Sequence, residues 1–209
     1  PIVERAMKER DFTAKKNGLM IVGAAVVLIE DPAILDSYLA SLLPLLQELA
    51  LDPVFELRRE ATKSLGSLGK FLPTLAEKSI IPWALEKLES SEGGQEAAVV
   101  RCGAASSLTE VLAQTKDKSL MKRMMEKVIK VRCLNLDQVH NEARRAGSFE
   151  LIEQLCKIEQ FEKFAVSDAI YFILLGLKDP SSLVHNAALS AGRSLILNFG
   201  AINASSIVL

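Results

Sequence analysis

One segment of this chain is written twice. Val139-His140-Asn141-Glu142-Ala143-Arg144-Arg145-Ala146-Gly147 returns as Val184-His185-Asn186-Ala187-Ala188-Leu189-Ser190-Ala191-Gly192, identical at six of nine positions, with its histidines 45 residues apart. Looser copies stand upstream at Val100-Arg101-Cys102-Gly103-Ala104, Leu57-Arg58-Arg59-Glu60-Ala61 and Ala14-Lys15-Lys16-Asn17-Gly18. With the cationic residue of each copy as marker (Lys15, Arg58, Arg101, His140, His185), successive spacings are 43, 43, 39 and 45. A period of this length holds two helices and their turns, and such a unit cannot bury its apolar face alone. Units must therefore stack on one another. The product of stacking is an extended surface for binding, with no pocket built for chemistry.

The helical pattern within the period fits that plan. The clearest unit, 33–70, opens with Ile34, Leu35, Tyr38, Leu39, Leu42, Leu43, Leu45, Leu46 and Leu49 at helical spacing. Leu51-Asp52-Pro53 then stops one helix and starts the next, since proline fits a first turn and aspartate caps free N–H groups. The second helix, Val54 to Gly69, places Leu57, Ala61, Leu65 and Leu68 on one face. The last unit repeats the design: Phe161 to Leu177, the turn Lys178-Asp179-Pro180, then Ser182 to Phe199, with its Asp-Pro turn 127 residues after the first. Between them lie helices over Glu77–Glu89, Glu96–Gln114, Lys118–Leu134 and Gln138–Ile158, and ahead of them Pro1–Glu9 and Phe12–Ile29. The expected fold is all-α, a right-handed α-α superhelix (a HEAT/armadillo-like solenoid) of about five helix pairs. It forms one array, with approximate repeats 1–30, 33–70, 74–114, 117–158 and 160–199, and 201–209 starting a further helix. Neither end carries the polar cap of a complete solenoid, which points to a fragment of a longer one.

Composition narrows the function. With 49% hydrophobic and 24% charged residues the chain is no disordered tail. A net charge of −1 gives no whole-molecule attraction to nucleic acid or anionic membrane. Cys102, Cys133 and Cys156 are odd in number, lie in apolar helical patterns, and read as reduced core thiols. The longest apolar run, Gly18 to Ile29, is shorter than the roughly 20 residues of a membrane span.

No residue set supports catalysis. His140 and His185 are the two histidines, and they lack the cysteine or carboxylate companions of a metal site. Gly66-Ser67-Leu68-Gly69-Lys70 fails as a phosphate loop, because Ser64 stands where the first glycine belongs and Phe71 where Ser or Thr must meet magnesium. Ser119 and Lys122 form a Ser-x-x-Lys pair without its companion motifs. The repeat slot explains the histidines better. Lys15, Arg58, Arg101, His140 and His185, with Asp52 and Asp179 in the turns, are expected to form a structural ladder between repeats, Arg58 with Asp52 among its pairs. No cofactor, metal or small-molecule substrate is implied.

Charge is distributed unevenly. From Ile21 to Leu57 there are six acids and no Lys or Arg, whereas 116–145 carries nine bases against four acids. The residues expected to face a partner are Arg59, Lys63, Arg144, Arg145 and Arg193 on second helices, with Lys122, Arg123, Lys127 and Lys130. With few aromatics beside them, any RNA contact would run through phosphate.

Several stretches resemble one HEAT family. They are Pro1-Ile2-Val3 with Arg5, Glu9-Arg10, Lys15-Lys16 and Ile21-Val22-Gly23; Leu51 to Arg58; Ile81-Pro82-Trp83; Arg101-Cys102-Gly103-Ala104-Ala105 leading to Glu110-Val111; and Leu189 to Arg193. The series is similar to the large translational activators of general amino-acid control, in the region shared with the HEAT domain of fungal elongation factor three. The family pattern is weak from Cys133 to Gln160, and His140 and His185 stand where the family usually has arginine. The resemblance implies a non-catalytic cytoplasmic scaffold that binds proteins and the ribosome. It further implies partners in an ABC-type ATPase and in the pathway of the kinase acting on initiation factor two during amino-acid starvation. The alternatives are another HEAT scaffold, of a nuclear transport receptor or a phosphatase, and a HEAT-like DNA glycosylase.

Overall fold

The computed structural model describes residues 2–28, 36–90, 94–115, 142–158 and 160–200, and every regular element among them is helical. The elements are α1 (Ile2–Lys8), α2 (Phe12–Leu28), α3 (Asp36–Leu49), α4 (Phe55–Phe71), the single turn α5 (Pro73–Leu75), a π-helical turn (Ala76–Ile80), α6 (Ile81–Lys87), α7 (Gly94–Gln114), α8 (Glu142–Leu155), α9 (Gln160–Gly176) and α10 (Ser182–Phe199). Most begin within two residues of where the apolar spacing predicts; the helix expected over Lys118–Leu134 lies outside the described residues. One element differs in kind. The helix expected over Glu77–Glu89 starts at Pro73 and widens into a π turn just ahead of Pro82. Pro82 has no N–H to return to the carbonyl four residues back, and a widened turn accommodates that loss.

The chain divides into two compact units. In the first (Pro1–Lys87 with Glu92–Lys116) each second helix carries its own first helix: α1 lies on α2, α3 on α4 and α6 on α7, while α2, α4 and α7 pack in that order. Small residues set the approach. Ser64 Oγ on α4 donates to the Leu19 carbonyl on α2 at 3.0 Å. A Cβ at Gly66 would stand 2.9 Å from Glu110 Cβ on α7, so glycine permits that crossing. Leu19, Leu46, Leu65, Leu68, Ile80 and Leu108 are fully buried and form the core.

The second unit (Leu88–Ser91 with Asp117–Leu209) packs α8 and α9 against α10. Phe149 on α8 is wholly buried, and a Cβ at Gly176 would fall 2.3 Å from its ring. Phe161 and Phe199 close the other end with ring centroids 6.1 Å apart.

Candidate partner-binding surfaces

The two Asp-Pro turns are built alike. Asp52 Oδ1 accepts the Val54 N–H at 2.8 Å, and Asp179 Oδ1 accepts the Ser181 N–H at 2.9 Å. Each aspartate thereby fixes the turn that starts the next helix. The cationic slot six residues on serves that same turn. Arg58 Nη1 donates to the main-chain oxygens of Asp52 (2.6 Å) and Pro53 (3.2 Å), and His185 Nδ1 lies 3.0 Å from the Leu177 carbonyl. The expected charge pair between Arg58 and Asp52 is thus replaced by a bond to main chain within one repeat. The Asp52 carboxylate takes the Val54 amide instead. Arg101 is 2% exposed within α7, Lys15 is half-buried on α2, and His140 lies outside the described residues.

A charge pair between neighbouring second helices does exist, at a residue expected to face a partner. Arg145 on α8 grips Asp179, ahead of α10, through Nε–Oδ2 at 2.7 Å and Nη2–Oδ1 at 3.1 Å, with the two side chains only 10% and 12% exposed. Ser181 Oγ adds a 2.6 Å bond to Glu142 Oε2 across the same junction. Burial alone would raise the Asp179 pKa. The Arg145 hydrogen bond, the Ser181 amide and the Arg145 charge outweigh it and hold the carboxyl below its usual range. In the sequence the signal is the small pair Ala146-Gly147 beside Arg145, and both residues are buried.

The other cations expected at a partner face differ in exposure. Arg59 and Lys63 on α4 are half exposed and share Glu60 Oε1 at 3.0 and 3.5 Å. Arg144 is half-buried, with Nε 3.5 Å from Glu89 Oε1. Arg193 is exposed on α10. Lys122, Arg123, Lys127 and Lys130 lie outside the described residues. Beside Arg59 stands Phe55, an exposed ring with the Arg58 and Arg59 guanidiniums 5.7 and 5.9 Å from its centroid. Next to it opens a groove of about 540 Å³ lined by Leu51, Pro53, Glu96, Val99 and Val100. Helical periodicity did not reveal this groove, because its lining residues on the turn and on the helix stand 43 or more positions apart.

Among the described residues no group of His, Cys, Asp and Glu could hold a metal ion, and no helix is long and apolar enough to cross a membrane. Burial pushes the Cys156 thiol up to about 12, while Cys102 is half-buried.

The family profile described as "Elongation factor 3/GNC1 HEAT repeat" matches residues 1–79. The "eIF-2-alpha kinase activator GCN1" of Dictyostelium discoideum is 31% identical over 216 aligned residues, covering 100% of this chain, and the "Stalled ribosome sensor GCN1" of Mus musculus is 31% identical over 94% of it. The "eIF-2-alpha kinase activator GCN1" of Saccharomyces cerevisiae is 28% identical over 95%. The chain spans about 7% of the length of each of these relatives. Among solved structures, a designed armadillo repeat protein aligns over 92% of this chain and 98% of its own at 13% identity, with a TM-score of 0.38, too loose to bear on the fold.

Proposed function

The chain is a HEAT-repeat segment related to the GCN1 proteins, and on that premise we propose that it serves as a non-catalytic binding scaffold in translational control, holding protein and ribosome in the pathway that activates the kinase of initiation factor two. The observation that carries this reading is the likeness to a kinase activator over 100% of the chain at 31% identity. The packing supports it. Cationic and acidic side chains at the turns hold main chain and neighbouring helices, as Arg58, Asp52 and the Arg145–Asp179 pair do. Such an arrangement builds extended surface of the kind a scaffold uses. The place of work is the cytoplasm, and an ABC-type ATPase is the further protein partner.

Ribosome contact in this reading runs through phosphate. It uses Arg59 and Lys63, with Arg193 and the cluster Lys122, Arg123, Lys127 and Lys130. Arg145 is taken out of the set by its bond to Asp179, and Arg144 is left out of it because it is half-buried beside Glu89. Co-sedimentation with purified ribosomes across a salt series tests it, comparing the native chain with Arg59→Glu/Lys63→Glu and with Lys122→Glu/Arg123→Glu/Lys127→Glu/Lys130→Glu. Binding that weakens with salt and is lost in either variant is the expected result. Binding indifferent to salt and to both variants, or none at low salt, removes the ribosome from the reading.

A further inference from the structure

The groove beside the first Asp-Pro turn has a definite shape. On α7, Glu96, Val99 with Val100, and Gly103 lie on one stripe, spaced seven, four and three residues from the glycine. At Gly103 this stripe touches the turn: a Cβ there would stand 2.1 Å from the Ala50 carbonyl oxygen. Leu51 and Pro53 of the turn and Val99, Val100 and Glu96 of α7 line about 540 Å³. The described lining of the groove is apolar apart from the Glu96 carboxylate. Val54 and Phe55, which follow Pro53 in the chain, are 41% and 59% exposed. A volume of this size takes a few side chains of a ligand.

Charge selects the occupant. Glu96 is exposed, and among the described residues no cation pairs with it. Glu48, Asp52 and Glu56 belong to the stretch Ile21–Leu57, which has six acids and no Lys or Arg. The nearby Arg58 is bonded to the carbonyls of Asp52 and Pro53. A basic polypeptide would find apolar contact and, at Glu96, a counter-charge together. From Val100 to Glu96 is four residues of helix, roughly 6 Å. In an extended peptide two residues span about the same distance and point to the same side.

We propose that this groove binds an extended segment of a partner protein carrying a branched or aromatic apolar residue two positions from a lysine or arginine. The apolar side chain enters between Leu51 and Val99, and the cationic head reaches Glu96. The proposal rests on the scaffold reading only in taking the ligand to be a polypeptide. It uses none of the cations assigned to the ribosome.

The test is selection of displayed random heptapeptides on the intact chain, followed by titration of the best peptide against the native chain, Glu96→Gln and Val99→Asp. Enrichment of the apolar-x-Lys/Arg spacing is expected, with affinity reduced about fivefold by Glu96→Gln, as for an exposed ion pair, and abolished by Val99→Asp. Glu96→Gln replaces an exposed side chain by its isostere, so its melting temperature checks that the fold is kept. No enrichment, enrichment without the cation, or equal affinity for the native chain and Glu96→Gln overturns the proposal. Binding of poly(U) that is lost in Val99→Asp overturns it in favour of RNA. Peptide binding without ribosome co-sedimentation would leave the groove standing while the ribosome reading falls, and the converse separates them equally.

Discussion

At the scale of single residues, burial decides which charges hold structure and which are free to meet a partner. Arg145 and Asp179 are both about nine-tenths buried and doubly bonded, so removing one strands the other. Arg145→Ala should destabilise the second unit by about 3 kcal/mol, the cost of an uncompensated buried charge, measured by chemical denaturation; a loss no larger than that of a surface pair would remove the structural role. The same pair sets a pH dependence. The Asp179 pKa is lower in the folded chain than the unfolded value of about 3.9. Its stabilisation is therefore present above roughly pH 4 and is lost as pH falls through the folded value below that. Between pH 6 and 3 the native chain should lose more melting temperature than Asp179→Asn, and parallel curves would contradict the assignment. Cys156 gives a third expectation. With its thiol pushed up to about 12 by burial, it should resist iodoacetamide at pH 8 until the chain is unfolded; rapid alkylation of the native protein at that position would show the thiol to be open.

At the scale of elements, glycines mark where helices touch. In helix interiors glycine costs about 1 kcal/mol relative to alanine, so each needs a reason. At Gly103 the reason is the Ala50 carbonyl 2.1 Å from any added Cβ, a main-chain atom that cannot swing aside. At Gly23 the nearest atom is Ser64 Oγ at 3.4 Å, an ordinary contact. Gly103→Ala should therefore lower stability by about 3 kcal/mol through overpacking, while Gly23→Ala should raise it by a few tenths to 1 kcal/mol. Equal effects in thermal melts would mean that neither helix approach is as close as it stands here. These contacts also show what sequence could and could not yield. The helix pairs were legible because Leu42, Leu46, Leu49, Leu57, Leu65 and Leu68 repeat at helical spacing and are buried. The Asp-Pro turns were legible because aspartate and proline act locally. Arg145 was misread because an arginine on a helix has the same periodicity whether it meets solvent or a carboxylate 34 residues on. The groove at Glu96 escaped for a related reason: it depends on where two separate stretches of main chain come together.

At the scale of the whole molecule, the spacing of 127 residues between turns gives a register in which α10 is compared with α4. In α4 the positions Thr62, Gly66 and Gly69 are buried, and the two glycines lie against α7. Their counterparts on α10 are Leu189, Arg193 and Ile196, and all three are exposed. Leu197 beside them is 83% exposed. Arg193, expected at a partner face, thus occupies the register at which α4 receives a neighbouring helix. On α2, Met20, Ile21, Val27 and Leu28 are likewise more than half exposed. Each repeat buries its face by stacking, and isolated apolar faces of this kind drive association. The weight-average mass of this chain in sedimentation velocity should therefore rise with concentration. Ile196→Lys/Leu197→Lys should suppress the rise without lowering the melting temperature, since those side chains contribute little to the folded interior. If the native chain stays monomeric at high concentration, or the double variant melts early, the α10 face is no stacking surface, and Leu189 and Ile196 would then need another explanation than the one the repeat supplies.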